Sequence, residues 1–137
     1  MAERIVEIYN INSSLPSTAI FVADEDQIEP VRRMLEEPLG AHSIGVKGCP
    51  RGEILGSEGK VRIFSIKYIK GLEFESVFLV NLDQISEREP HLVDKYLYVG
   101  LTRAASFLAV TYSTNFPREI LFAKHYFKEG HWKAFVQ

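Results

Sequence analysis

The sequence predicts an α/β domain in which a chiefly parallel sheet is flanked by helices on its faces. Two observations support this. Short apolar runs alternate along the chain with segments of helical periodicity, and the first run, residues 18–23, is continuously apolar, which is typical of a strand covered on both faces. The length of 137 residues suits one compact domain. We therefore expect residues 1–137 to form a single domain.

The elements follow from the pattern in chain order. After the strand at 18–23, Asp24 occupies an N-cap position with Gln27 three residues later, and Gly40 closes the helix that they begin. Further strands are predicted at 42–46, 61–68, 76–80 and 107–112. Helices are predicted from about Pro90 through Ala104 and over 117–122, and a glycine-rich loop over 47–60. The aromatic and polar tail, residues 124–137, is not assigned to any element. In such sheets, ligands are expected outside the carboxyl ends of the strands.

Composition and charge narrow the possible functions. Sixteen Lys and Arg against eighteen Asp and Glu give a formal net charge of −2, so any contact with nucleic acid has to be local. The single Cys49 excludes an internal disulfide framework and a cysteine zinc site. No apolar run approaches the roughly 18 residues that span a bilayer, and residues 1–4 lead into no signal-type segment. We expect a cytoplasmic protein with no membrane partner.

The sequence lacks the motifs of a self-contained enzyme. It contains no GxxxxGK[ST] phosphate loop, no obvious pair of acidic residues ending an apolar strand, and no serine in a glycine elbow. Its four histidines show no metal-binding spacing, so no metal site is predicted.

Two segments carry a resemblance. Residues 65–74, SIKYIKGLEF, resemble motif V of UvrD/Rep/PcrA-type superfamily 1 helicases, T-x-H-x-x-K-G-L-E-F, and residues 98–104, YVGLTRA, resemble their motif VI, Y-V-[AG]-x-T-R-A. Each is followed by an apolar strand, and their order and separation also match. The ordered pair is far more specific than either motif alone.

The resemblance implies the second, C-terminal RecA-like domain of such a helicase, a three-layer domain related to P-loop NTPases. In this family ATP is held between two RecA-like domains, and the first supplies the phosphate loop and the Mg²⁺ site. The partners implied are therefore an N-terminal RecA-like domain, in the same or another chain, and single-stranded DNA. The loop at 47–60 leaves no room for the accessory domain that many members insert ahead of motif V.

The same resemblance assigns roles to individual residues. Arg103 matches the arginine finger, which stabilises charge on the transferred phosphoryl group. Glu73 matches the glutamate associated with the ribose. Beside it in the motif, Lys70 would face phosphate or cap the turn, and Gly71 would let the backbone approach a ligand or simply form the turn. The last two positions are Ser65 and Lys67, where the family uses Thr and His toward single-stranded DNA.

Two other interpretations remain open. A non-catalytic module that kept the fold and binds nucleic acid or a protein is favoured by the net charge, and by residues 22–25, which offer acids where the family often has the motif IV arginine. An α/β domain with an unrelated small-molecule role lacks a recognisable catalytic constellation. On the helicase interpretation, the isolated chain is expected to hydrolyse no ATP.

Overall fold

In the computed structural model, which describes residues 1–68 and 72–127, a five-stranded sheet lies between two layers of helices. The strands are β1 (Thr18–Val22), β2 (Val46–Gly48), β3 (Val61–Ser65), β4 (Phe74–Leu79) and β5 (Ala104–Val110). Their order across the sheet is β2-β3-β1-β4-β5, and every neighbouring pair is parallel. The predicted α/β class is confirmed, and the arrangement is that of a RecA-like domain.

One helix precedes the first strand, and the other three lie in the β1–β2 and β4–β5 connections. They are α1 (Ala2–Asn12), α2 (Ile28–Gly40), α3 (Leu82–Arg88) and α4 (Val93–Arg103). Short 3₁₀ segments span Glu25–Gln27, Pro50–Gly52, Ile66–Tyr68, Pro90–Leu92 and Arg118–Tyr126. Within the described ranges, every helix is too short or too polar to cross a membrane.

The central strand β1 shows why the sheet needs a helical layer on each face. All five of its residues are buried, and neighbouring side chains point to opposite faces. Phe21 belongs to an apolar cluster with residues of α3 and α4, whereas Ile20 belongs to a second cluster with residues of α1 and α2. The continuous apolar run that predicted this strand therefore reflects two separate packed interfaces.

The connection from β3 to β4 is short and positions the candidate site. Because β3 and β4 lie on either side of β1 and run in the same direction, the connection begins with residues 66–68 at the carboxyl edge of the sheet and ends with residues 72–73 at its amino edge. Ile66 and Leu72 pack against the cluster that contains Phe21. Residues 69–71 of this connection lie outside the described residues.

Several boundaries differ from the sequence-based expectations. The strand predicted at 42–46 lies instead at Val46–Gly48, because residues after α2 form a turn in which Ile44 donates its backbone N–H to Leu39 O. The third strand stops at Ser65, since a 3₁₀ turn follows, and the last begins at Ala104, directly after α4. The helix predicted at 117–122 is a 3₁₀ segment at Arg118–Tyr126.

Two helices, α1 and α3, are present where the sequence analysis predicted none. In α1 only Ile5 and Ile8 are buried, which is too small a stripe to stand out among polar neighbours. The seven residues of α3 cover about two turns, so they present almost no period to recognise. Both helices are stabilised mainly by packing on the sheet rather than by a strong local pattern.

Candidate functional site

Two of the four residues predicted to face the nucleotide, Glu73 and Arg103, lie side by side at the amino edge of the sheet. Phe74, the first residue of β4, is paired in register with Ala104, the first residue of β5. Glu73 and Arg103 immediately precede these paired positions, so the structure brings them together although they are far apart in sequence. Both residues lie at the amino edge, because each residue enters its strand rather than leaving it.

Close packing of α4 on β4 sets the position of Arg103. Val93 and Leu97 are buried against the sheet, and Gly100 continues the same face one turn later. A Cβ atom at Gly100 would lie 2.8 Å from Cδ1 of Leu79, which is closer than van der Waals contact allows. The glycine of motif VI thus lets the helix approach the strand, and Arg103 follows less than one turn further on.

The side chain of Arg103 is half-buried, and one of its donors is unsatisfied. Its Nε atom is inaccessible to solvent and has no hydrogen-bond partner among residues 1–68 and 72–127, where Arg103 also has no ion pair. A buried donor without a partner is costly, and a guanidinium offers a planar set of donors suited to phosphate. Because Nε is inaccessible to solvent, any contact from outside this domain would be made by the Nη groups of the guanidinium.

Motif V is anchored by its apolar residues and presents its acidic residue outward. Phe74 is 2% exposed and packs against the rings of Phe21 and Phe64, with centroids 6.2 and 5.6 Å away. Glu73, next to it, is exposed. Lys70 and Gly71, which were predicted to line the nucleotide, lie outside the described residues.

The two residues predicted to face DNA lie at the opposite, carboxyl edge, where β3 ends. Ser65 is fully buried, and its Oγ accepts a hydrogen bond from the backbone N–H of Lys67 at 3.3 Å. Lys67 is exposed, and its Nζ lies 2.6 Å from Oδ1 of Asp24. In this structure Ser65 therefore holds the backbone that presents Lys67, while the ammonium of Lys67 is the group that reaches the surface.

Asp24 binds a second cation that the sequence analysis did not identify. Arg88, the last residue of α3, donates from Nη1 to Oδ2 of Asp24 at 2.8 Å. The hydrogen bond from Lys67, together with that from Arg88, lowers the pKa of Asp24 against the opposing effect of partial burial. No local signal could have revealed this pair, because Asp24 and Arg88 are 64 positions apart.

The predicted capping role of Asp24 is wrong. A 3₁₀ turn at Glu25–Gln27 separates Asp24 from α2, and its side chain caps neither element. Gln27 does reach back, but its Oε1 accepts the N–H of Ala23 at 3.3 Å. The carboxylate of Asp24 therefore accepts hydrogen bonds from Lys67 and Arg88 instead.

Among the described residues, no three His, Cys, Asp or Glu side chains come together as metal ligands would.

Comparison with known proteins agrees with the geometry. Residues 60–111 match the family described as the UvrD-like helicase C-terminal domain, and this stretch contains both motifs. A search of curated proteins found no match. Among solved structures, the chain resembles the C-terminal domain of a possible DNA helicase from Lactobacillus plantarum WCFS1, with a TM-score of 0.64 and 20% identity over 91% of this chain and 74% of that one. The family match thus covers the stretch that holds both motifs, and the likeness to the solved helicase domain shows that the two share a fold.

Proposed function

We propose that this domain is the C-terminal motor half of an ATP-dependent DNA helicase, and that Arg103 is its arginine finger. On this proposal ATP binds between the amino edge of this sheet and an N-terminal RecA-like domain, in the same or another chain. The single observation that carries the proposal is the position of Arg103, a half-buried arginine that enters β5 beside the point where Glu73 enters β4.

In the proposed reaction, phosphoryl transfer from ATP, the main contribution of this domain is a correctly positioned cation. Negative charge on the transferred phosphoryl group is stabilised by a guanidinium that is already in position, and such a finger is worth about 10³ to 10⁵ in rate in other systems. Arg103 is held by the junction of α4 and β5, so it needs little reorganisation. Glu73 is exposed at the same edge and is proposed to contact the ribose.

The remaining nucleotide contacts in the proposal are Lys70 and Gly71, by their place in motif V. Mg²⁺ is assigned to the partner domain, where it would neutralise charge on the phosphates of ATP. Assigning the phosphate and Mg²⁺ sites to the partner domain agrees with the sequence of this chain, which has no phosphate loop.

Single-stranded DNA is proposed to bind at the carboxyl edge, through Lys67. The connection of residues 66–73 begins beside Lys67 and ends at Glu73, so one short segment joins the proposed DNA side to the proposed nucleotide side. Opening and closing of the cleft around ATP would then displace the DNA contact. Such domain closure is a common way for one site to act on another.

A reconstitution experiment tests the proposal. The isolated chain is expected to hydrolyse no ATP, and addition of its cognate N-terminal RecA-like domain, fused or in trans, is expected to restore DNA-stimulated hydrolysis. Turnover by the pure isolated chain that Arg103→Ala abolishes would contradict the incomplete-motor proposal. Persistent absence of hydrolysis in the assembled protein would favour instead a non-catalytic module that binds nucleic acid or a protein partner.

A further inference from the structure

Three elements bring two cations onto one carboxylate at the carboxyl edge of the sheet. Asp24 follows β1, Lys67 follows β3, and Arg88 ends α3. Each oxygen of the carboxylate has its own partner, Nζ of Lys67 at 2.6 Å and Nη1 of Arg88 at 2.8 Å. The three side chains are between 32% and 53% exposed, so an external ligand can reach them.

The arrangement resembles a phosphate-binding site in which the carboxylate of Asp24 takes the place of the phosphate. A phosphodiester, like a carboxylate, carries one negative charge shared between two terminal oxygens. Lys67 and Arg88 could therefore hold those two oxygens as they now hold the two oxygens of Asp24. Ion pairs as exposed as these are individually weak, so a phosphate can displace the carboxylate.

Two amides and a second carboxylate lie beside the cluster. Gln84 precedes Arg88 by one helical turn, so both lie on the same face of α3, and Oε1 of Gln84 accepts from Nε2 of Gln27 at 3.4 Å. The nearby carboxylate of Glu25 is engaged by the backbone N–H of Arg51 at 2.8 Å. The side-chain amides of Gln27 and Gln84 therefore lie next to the two cations and add uncharged hydrogen-bonding groups to this part of the surface.

We propose that Lys67 and Arg88 form a binding pocket for a phosphate of single-stranded DNA, and that Asp24 is a built-in competitor that occupies the pocket when DNA is absent. The choice of DNA as ligand rests on the proposed function. The pocket itself rests on the three-residue cluster, which adds Arg88 and Asp24 to the residues expected from motif V. DNA binding is then an exchange of one anion for another.

Removal of the competitor should strengthen binding. Asp24→Asn keeps the shape of the side chain but gives up its charge, so Lys67 and Arg88 lose their internal anion. We expect the affinity of the full chain for a fluorescent oligo-dT, measured by anisotropy at low salt, to rise about threefold to tenfold, as for two exposed ion pairs. The gain should shrink as salt is raised, since salt screens these charges and competes for phosphate contacts.

Matched variants separate a specific pocket from a change in net charge. Asp26→Asn makes the same charge change two residues away, at an exposed side chain, and should alter the affinity less than twofold. Arg88→Gln should weaken binding, and in combination with Asp24→Asn it should remove the gain. Circular dichroism of each variant checks that the fold is retained.

Four results would overturn the pocket. These are no gain from Asp24→Asn, an equal gain from Asp26→Asn, a gain from Asp24→Asn that survives Arg88→Gln, and an absence of DNA binding in every variant. The proposed function is judged separately, because ATP hydrolysis by the assembled protein depends on Arg103 at the opposite edge. Hydrolysis that requires Arg103 without an effect of Asp24→Asn on DNA binding would thus refute the pocket and leave the motor assignment standing.

Discussion

Substitution of Phe74, the final residue of motif V, tests whether this segment is anchored by the core as the structure shows. Phe74 is 2% exposed and packs edge-to-face on Phe21 and at a tilt on Phe64, with ring centroids 6.2 and 5.6 Å away. In Phe74→Leu the side chain stays apolar, but both ring pairs are lost. Each such pair contributes about 0.5–1.5 kcal/mol beyond its buried area, so we expect a loss of about 1–3 kcal/mol.

Urea unfolding at 25 °C, followed by circular dichroism, measures this loss as a lower transition midpoint at unchanged slope. A domain of this size has a free energy of unfolding of about 5–15 kcal/mol, so the variant should still fold. Phe122→Leu is the matched control, because Phe122 is 73% exposed, and it should change the stability by less than about 0.5 kcal/mol. A loss in Phe74→Leu no larger than in the control would refute the proposed anchoring.

Two further substitutions test the packing of motif VI and a buried carboxylate. Gly100→Val should cost about 1–3 kcal/mol in the same unfolding assay, because the new side chain meets Leu79 in a filled core; an unchanged midpoint would contradict the close approach. Burial alone would raise the pKa of Asp83, but hydrogen bonds from the backbone N–H groups of Thr114 and Ser113 outweigh it and lower the pKa. Stability from Asp83 is therefore present above its unfolded pKa of about 4 and lost as the pH falls through the lower folded value. Asp83→Asn should flatten the acid limb of a plot of unfolding free energy against pH, and an unchanged limb would show that Asp83 does not contribute.

The fold class could be predicted because its main determinants are local. The strand β1 is a continuous apolar run, and α2 shows buried residues at helical spacing, so each element is recognisable within its own residues. The helices α1 and α3 could not be predicted in the same way. Their apolar faces are small, and what stabilises them is the sheet, which the local pattern does not contain.

For the candidate site, too, the identity of the residues could be predicted from the sequence, but their arrangement could not. Motif spacing identified Lys67, Glu73 and Arg103, because a motif is a local string. It did not show that Lys67 lies at one edge of the sheet and the other two at the opposite edge, since that depends on strand order and register. The burial of Ser65 also follows only from its position at the end of an interior strand.

The ion pairs of Asp24 illustrate the limit of local reasoning most clearly. The local pattern, Asp24 before a helix with Gln27 three residues later, predicts a capping role for this side chain. Two distant cations compete for the same carboxylate, and in the folded chain they take both of its oxygens. Long-range electrostatics thus override a local preference here.

The most direct test of the central claim is kcat for DNA-stimulated ATP hydrolysis by the protein assembled with its N-terminal domain, compared between wild type and Arg103→Ala. Arg33→Ala is the control, because the Arg33 side chain is 74% exposed on α2. We expect kcat to fall by about 10³ or more in Arg103→Ala and to stay near the wild-type value in Arg33→Ala. A kcat for Arg103→Ala within about tenfold of wild type would contradict the assignment of Arg103 as the arginine finger.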